Sequence, residues 1–300
     1  MTPYLDDSWA KIGPRITSIV ESGQLRTAER APLEVAQMLD EQSIPLRAEG
    51  TLRAASLAGV ASDGRALASL LYQAVVSAGM SLNAGIVPAV ALKNGWDAME
   101  RYISTQIADA NRVASSLQTV LTPTATQSVR VVNPGACSRC IALAGISSWA
   151  TTAFERHPMC RCKNVPTNAE FASEVGTDPM EYFNSLTEVE QDATFTKAGA
   201  QAIRDGADMN QVVNARRGMT TTASGRLTRG SYGTYTTVEG MSRRGYARNV
   251  MSRNPAWARP VGDSARRVRV AAQRLMPESI YEIAKDRNDA IRLLKAYGYF

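Results

Sequence analysis

Asn133-Pro-Gly-Ala-Cys137-Ser-Arg-Cys140 and His157-Pro-Met-Cys160-Arg-Cys162 together hold all four cysteines and the single histidine of this 300-residue chain. Soft ligands gathered into one window mark one chemical site. Thiolate and imidazole are the side chains that hold zinc in tetrahedral geometry. Cys137 and Cys140 form a C-x-x-C knuckle, a spacing at which one turn presents two sulfurs to one ion. The returning arm offers His157, Cys160 and Cys162, so five candidate donors compete for four positions. The single residue between Cys160 and Cys162 is a tight spacing, which makes His157 a credible replacement for one of them.

Two other uses of the cysteines compete with metal binding. They could be buried hydrophobes, or they could form two bridges. The N-terminus, Met1-Thr-Pro-Tyr-Leu-Asp-Asp7, lacks the basic and apolar regions of a secretory leader. A reducing compartment is therefore expected, and it favours metal over bridges. Enough donors exist to close the coordination shell, most are sulfur, and Glu155 is the only carboxylate between Cys140 and Cys162. That chemistry suits a structural zinc, because a catalytic one keeps a position open for water or substrate.

A single histidine also narrows the enzymes the chain could be. Triad and Cys-His centres need a base beside the nucleophile, and the only imidazole lies inside the cysteine window. Glu188 and Glu190 form an E-x-E pair of the kind found in ADP-ribosyltransferases, but it reads as solvated helix surface. The chain has no H-E-x-x-H, G-x-G-x-x-G or G-K-[ST] run. The expectation is no catalysis; the rival reading is a hydrolase, a protease or an ADP-ribosyltransferase-like enzyme.

Charge is unevenly spread. Residues 1–200 carry 16 Lys/Arg against 20 Asp/Glu, whereas residues 201–300 carry 18 against 8, and 16 of those 18 are arginine. Arginine forks onto phosphates and carboxylates, so this tail is expected to meet a polyanion or an acidic protein face. The candidates are Arg216, Arg217, Arg243, Arg244, Arg266, Arg267 and Arg269, with Arg259 and Arg274 in the same basic run. Tyr232, Tyr235 and Tyr246 are too sparse for a base-stacking groove.

The fold expected is mainly α with a small α+β centre, in three parts. Residues 1–128 form a helical domain, 129–218 an α+β domain carrying the Cys/His knuckle, and 219–300 an arginine-rich extended region that closes in helices. The first helix starts at an Asp7 or Ser8 cap and carries Ile12, Ile16 and Val20, with Pro14 near its first turn or at a kink. A second starts near Pro32, and a third covers Leu52 to Val60 before the Ser62-Asp63-Gly64 turn. Ala66 to Leu92 is uncharged for 27 residues. Its polar residues and Pro88 make it a buried helix of roughly five turns, a break and a second helix entering near Pro88, rather than a membrane span. A long amphipathic helix covers 93–120, and Leu121-Thr-Pro-Thr-Ala-Thr-Gln127 is a linker. Val129 to Val132 then reads as a strand that resumes at Ile141 to Leu143. Short helices follow over 171–195, Lys197 to Arg204 and Met209 to Arg217. Residues 219–262 read as extended or loop, and Pro277 to Tyr299 as a helix pair.

On these motifs the chain resembles the MuF-type minor head proteins of tailed phages, in particular those of actinobacteriophages. The likeness rests on N-P-G-A-C-S-R-C-I-A-L-A-G, on Trp149 and Phe154 in the gap, and on F-E-R-H-P-M-C-R-C-K-N-V-P. It extends to T-Q-I-A-D-A-N-R at 105–112, to the run from Phe195 to Met219 and to the run from Arg274 to Lys295. The resemblance implies a structural minor capsid protein of the virion, assembled in host cytoplasm and placed in the head interior near the portal. Its implied partners are the portal or major capsid protein, further copies of itself and packaged DNA, with no membrane. Some relatives are fused to a maturation protease, a role this chain lacks the length and the second histidine to carry.

Overall fold

The computed structural model describes residues 3–219, 234–261 and 264–300. They gather into two compact units, residues 1–136 with 143–178 and residues 137–142 with 179–300. The sequence instead suggested cuts at 128 and 218. The fold is mainly helical with a small share of sheet.

The first unit is built on three helices, α1 (Pro3–Asp40), α2 (Leu67–Asn83) and α3 (Pro88–Val120). The two N-terminal helices expected from capping signals are one 38-residue helix with Pro14 and Pro32 inside it. An interior proline costs about 3 kcal/mol. Val20, Val35 and Leu39 of α1 are essentially unexposed, and each fully buried aliphatic side chain returns about 1.5–3 kcal/mol. Packing along the whole helix therefore outweighs both breaks. Three clusters run down it: Val20 with Leu67 and Leu71, Ala28 and Ala31 with Ala114, and Val35 and Leu39 with Ile44 and Ala125. Gly95 lets α3 approach α2 closely, because a Cβ there would lie 2.8 Å from that of Ala78.

The uncharged stretch divides into α2 and the start of α3 as expected, with Pro88 at the first turn of α3, but it is not buried throughout: α2 buries one face through Leu67, Leu71, Ala74 and Ala78, and Met80 and Leu92 are exposed. No helix among the described residues is long and apolar enough to cross a membrane. The expected helix over Leu52 to Val60 is only a 3-10 turn at Ala54–Leu57. Buried Gln24 holds the following loop, donating to the Val60 carbonyl at 3.0 Å and accepting from the Gly59 N–H at 3.0 Å. A three-stranded antiparallel sheet completes the unit, with β1 (Gln127–Val131) between β2 (Ser147–Trp149) and β3 (Lys163–Thr167). Val129 is opposite Ser147 on one side and Val165 on the other. The short helix α5 (Ala172–Val175) follows.

The second unit is made of short helices. They are α4 (Ser138–Ala142), α6 (Pro179–Ser185), α7 (Glu188–Phe195), α8 (Lys197–Arg204), α9 (Met209–Ala215), α10 (Tyr246–Met251), α11 (Pro277–Ile283) and α12 (Arg287–Ala296). Phe183 and Phe195 meet edge to face at 5.3 Å in its core. The expected resumption of strand at Ile141 to Leu143 is helix α4, because buried Cys140, Ile141 and Ala142 form one inward-facing turn. The closing helix pair is present as α11 and α12. In the region expected to be extended, α10 is helical, β4 (Thr236–Thr237) pairs with β7 (Arg274–Leu275), and β5 (Ala258–Val261) pairs with β6 (Ser264–Val270). Residues 220–233 and 262–263, with Tyr232, lie outside the described residues.

Thr196, at the joint of α7 and α8, has φ +67° and ψ 155°, a backbone region almost confined to glycine. Its hydroxyl caps α8 at Gly199 and lies 3.1 Å from Glu278 Oε1.

Candidate metal centre

The knuckle is shaped by a turn and a helix. Beyond β1 the chain turns at Asn133, with the Ala136 N–H on the Asn133 carbonyl at 3.0 Å. Gly135 takes φ +77°, and a side chain there would press on Arg161. Cys137 then opens α4, accepting from the Ile141 N–H at 3.0 Å. Residues three apart on a helical turn share a face, which brings Cys137 and Cys140 to one side. Cys140 is buried and Cys137 is half-buried.

The returning arm, residues 153–162, is neither helix nor strand, so its polar backbone groups need partners from elsewhere. Side chains of the first unit supply them. Arg130 donates to the Glu155 carbonyl at 2.7 Å and lies over the Phe154 ring at 4.1 Å. Asn133 donates to the Arg161 carbonyl at 2.7 Å, and the Met159 N–H donates to Thr105 Oγ1 at 3.2 Å. Arg112, on α3, reaches the carbonyls of both arm cysteines, with Nη2 on Cys160 and Nε on Cys162 at 3.3 Å. Asp109, one turn before it and buried, accepts from Arg112 Nη1 at 2.9 Å and from Arg156 Nε. Ser62 Oγ donates to the other Asp109 oxygen at 2.5 Å.

The five donors fall into two groups of three. The ligand atoms of Cys137, Cys140 and His157 all lie within 4.8 Å of one another, and so do those of Cys140, Cys160 and Cys162. Cys140 belongs to both groups. None of the four cysteines is in a disulfide. A tetrahedral zinc with Zn–S near 2.3 Å separates its ligands by about 3.8 Å, and the clustering accommodates that spacing. Cys140, Cys160 and Cys162 are each 4% exposed or less. His157 Nδ1 lies 2.7 Å from the Pro158 carbonyl. In the neutral tautomer with its proton on Nδ1, that nitrogen donates to the carbonyl and Nε2 holds a lone pair that a metal could take. The donor set fits a metal ion that takes thiolate and imidazole ligands.

The arginine candidates divide. Arg216 is half-buried against Glu278, at 2.9 Å, and Thr196. Arg217, Arg243, Arg244 and Arg269 are exposed, and Arg266 and Arg267 lie in β6. Arg269 is directly opposite Arg259 across the β5–β6 pair. Arg274 does not belong with this basic surface, because it is 1% exposed. It donates to the carbonyls of Tyr297, Gly298 and Glu239 at 2.9–3.0 Å and lies over the Tyr299 ring at 4.3 Å. Burial pulls its pKa below the usual arginine value.

The E-x-E pair opens α7. Glu190 closes a capping box with Thr187, whose hydrogen bonds hold its carboxyl below the usual range. Glu188 sits 3.7 Å from Arg204. Asp109 and Arg112 brace the arm and have no role in the motif reading, since nothing in the sequence links them to a segment some fifty residues away. No protein family, curated protein or solved structure matches the chain.

Proposed function

We propose that the chain is a structural minor capsid protein of MuF type, stapled by one zinc ion and seated inside a tailed-phage head near the portal. The observation that carries this reading is the convergence of the C-x-x-C knuckle and the H-P-x-C-x-C arm on one cluster. Those two motifs also carry the resemblance. Zinc supplies cross-linking here, because its binding energy becomes folding energy for the segments it holds. A non-catalytic role is favoured by two side chains already committed elsewhere. His157 sits among cysteine sulfurs, and Glu190 is spent on a helix cap.

Two surfaces fit the proposed surroundings. On α2, α3 and the turn joining them, Met80, Val87, Leu92 and Trp96 are 52–70% exposed. This apolar group suits a capsid or portal chain, or another copy. On the β5–β6 pair, Arg259 faces Arg269. Like charges directly opposite destabilise a ladder, and a phosphate backbone laid across them reverses that sign. Packaged DNA is the polyanion of a phage head, and it needs phosphate contacts rather than base readout.

The test is incorporation. Heads assembled with the wild-type chain should retain it, with about one zinc per copy by elemental analysis. Chains carrying Cys137→Ser or Cys140→Ser should be synthesised yet left out of purified heads. A wild-type chain that sediments apart from assembled heads would overturn the capsid reading. Heads that carry it without metal would overturn the staple.

A further inference from the structure

We propose that Arg112, locked by Asp109, is the positioning residue of the metal centre: it sets the Cys160–Cys162 arm through its carbonyls and places positive charge beside the thiolates. The proposal rests on the zinc reading above and adds a device outside the ligand set.

The geometry begins with the C-x-C spacing. Cys160 and Cys162 are both buried, and their two carbonyls present one edge to α3. One guanidinium edge meets that edge. Arg112 Nη2 donates to the Cys160 carbonyl and Nε to the Cys162 carbonyl. The third side of the guanidinium is fixed by Asp109 at 2.9 Å. Asp109 is itself held by Arg156 and by Ser62 at 2.5 Å. The side chains of Arg112 and Asp109 are 13% and 6% exposed, so neither rotates freely into water. An arm without helix or strand thereby takes its shape from a rigid helix, as a ligand-bearing loop requires.

Charge points the same way. Zinc with three thiolates and one imidazole carries −1, and with four thiolates −2. Burying such a centre is costly unless it is compensated. Arg112, Asp109 and Arg156 together carry +1, which balances the three-thiolate centre and halves the charge of the four-thiolate one. Lysine at 112 would keep the charge and lose the fork, since an ammonium cannot address two carbonyls and a carboxylate with fixed planar donors.

Cobalt(II) titration of the full chain, followed by thiolate-to-metal absorption and by competition with a chelator, tests the proposal. Outer-shell losses run to about 10–100-fold in metal affinity. Arg112→Met should lie at the upper end of that range and Arg112→Lys at the lower, with the wild-type absorption shape kept in the lysine variant. Should the methionine variant fail to fold, the lysine variant carries the test. Helix content of the metal-free proteins is measured alongside, so that a general loss of stability is separated from a loss of metal affinity. Wild type that binds cobalt while a folded Arg112 variant binds it equally tightly overturns this proposal alone. Wild type that binds no cobalt overturns the metal reading and this one with it.

Discussion

Arg112 and Arg274 solve the same problem in two parts of the molecule with opposite electrostatics. Each is a largely buried guanidinium donating to backbone carbonyls that no helix or sheet satisfies. Arg112 has the carboxylate of Asp109 in its shell, and a second cation beyond it. Arg274 donates to carbonyls and to the Gln211 amide oxygen and lies over the face of Tyr299, with the Glu239 charge acting on it from beyond hydrogen-bond contact. The first arrangement leaves a small surplus of positive charge next to a predicted anionic centre. The second buries a whole charge and spends it on fixing the turn at residues 297–298. On the proposed zinc reading, one guanidinium serves a ligand and the other the fold.

The comparison can be broken most directly at Arg274. Arg274→Met removes donors from three carbonyls at once, and breaking a buried charged network costs about 3–5 kcal/mol. Chemical denaturation should show this as a large fall in midpoint or as loss of cooperative folding. A midpoint within experimental error of wild type would mean that water replaces the guanidinium and that the contrast is empty.

Zinc sharpens the contrast. A ligand at 100 times its Kd stabilises the folded state by about 2.7 kcal/mol. Added zinc should raise the melting temperature of wild type and of any folded Arg274 variant by similar amounts, and that of Arg112→Met by clearly less. Equal gains in both arginine variants would erase the distinction between them.

A third guanidinium offers a pH test. Burial tends to raise the Asp205 carboxyl, but hydrogen bonds from Tyr281, Arg287 and Gln201 outweigh it and hold the group below 3.8. A carboxyl depressed by folding contributes stability above its unfolded pKa, and that stability disappears as pH falls through the folded value. Asp205→Asn should cost about 1–3 kcal/mol at neutral pH. Its denaturation midpoint should then fall less than that of wild type on acidification from pH 5 to pH 2. Parallel curves for the two proteins would show that Asp205 does not set the acid response. The smallest effect is expected at the α7 cap, where the group is a neutral hydroxyl: Thr187→Ala should cost about 1 kcal/mol, read in the same denaturation experiment.

Much of the metal cluster was legible because cysteine and histidine are rare here and their spacing carries the chemistry. The long helices were legible from their apolar period, and the break before Pro88 from its turn residues. Pro14 and Pro32 misled, because local breaking signals are weaker than packing along the length of α1. Helix α4 was missed, since five residues are too few to show a period. Arg274 looked like its neighbours in the basic run, because charge in a sequence says nothing of burial. Asp109 and Arg112 lie within T-Q-I-A-D-A-N-R, where helical spacing joins them to each other but not to Cys160 and Cys162. Only the fold makes that second connection.

Thr196 sets two demands against each other, and they rank the residues that position can accept. Its backbone angle penalises a branched side chain by roughly 1–3 kcal/mol, while its hydroxyl serves both Gly199 and Glu278. Serine keeps the oxygen and sheds the methyl that makes the angle hardest to hold. Glycine removes the backbone penalty and loses the oxygen. Valine keeps the branching and has no oxygen to offer. A library of variants at this one joint should therefore be populated in the order serine, glycine, valine, with threonine itself short of the best available choice.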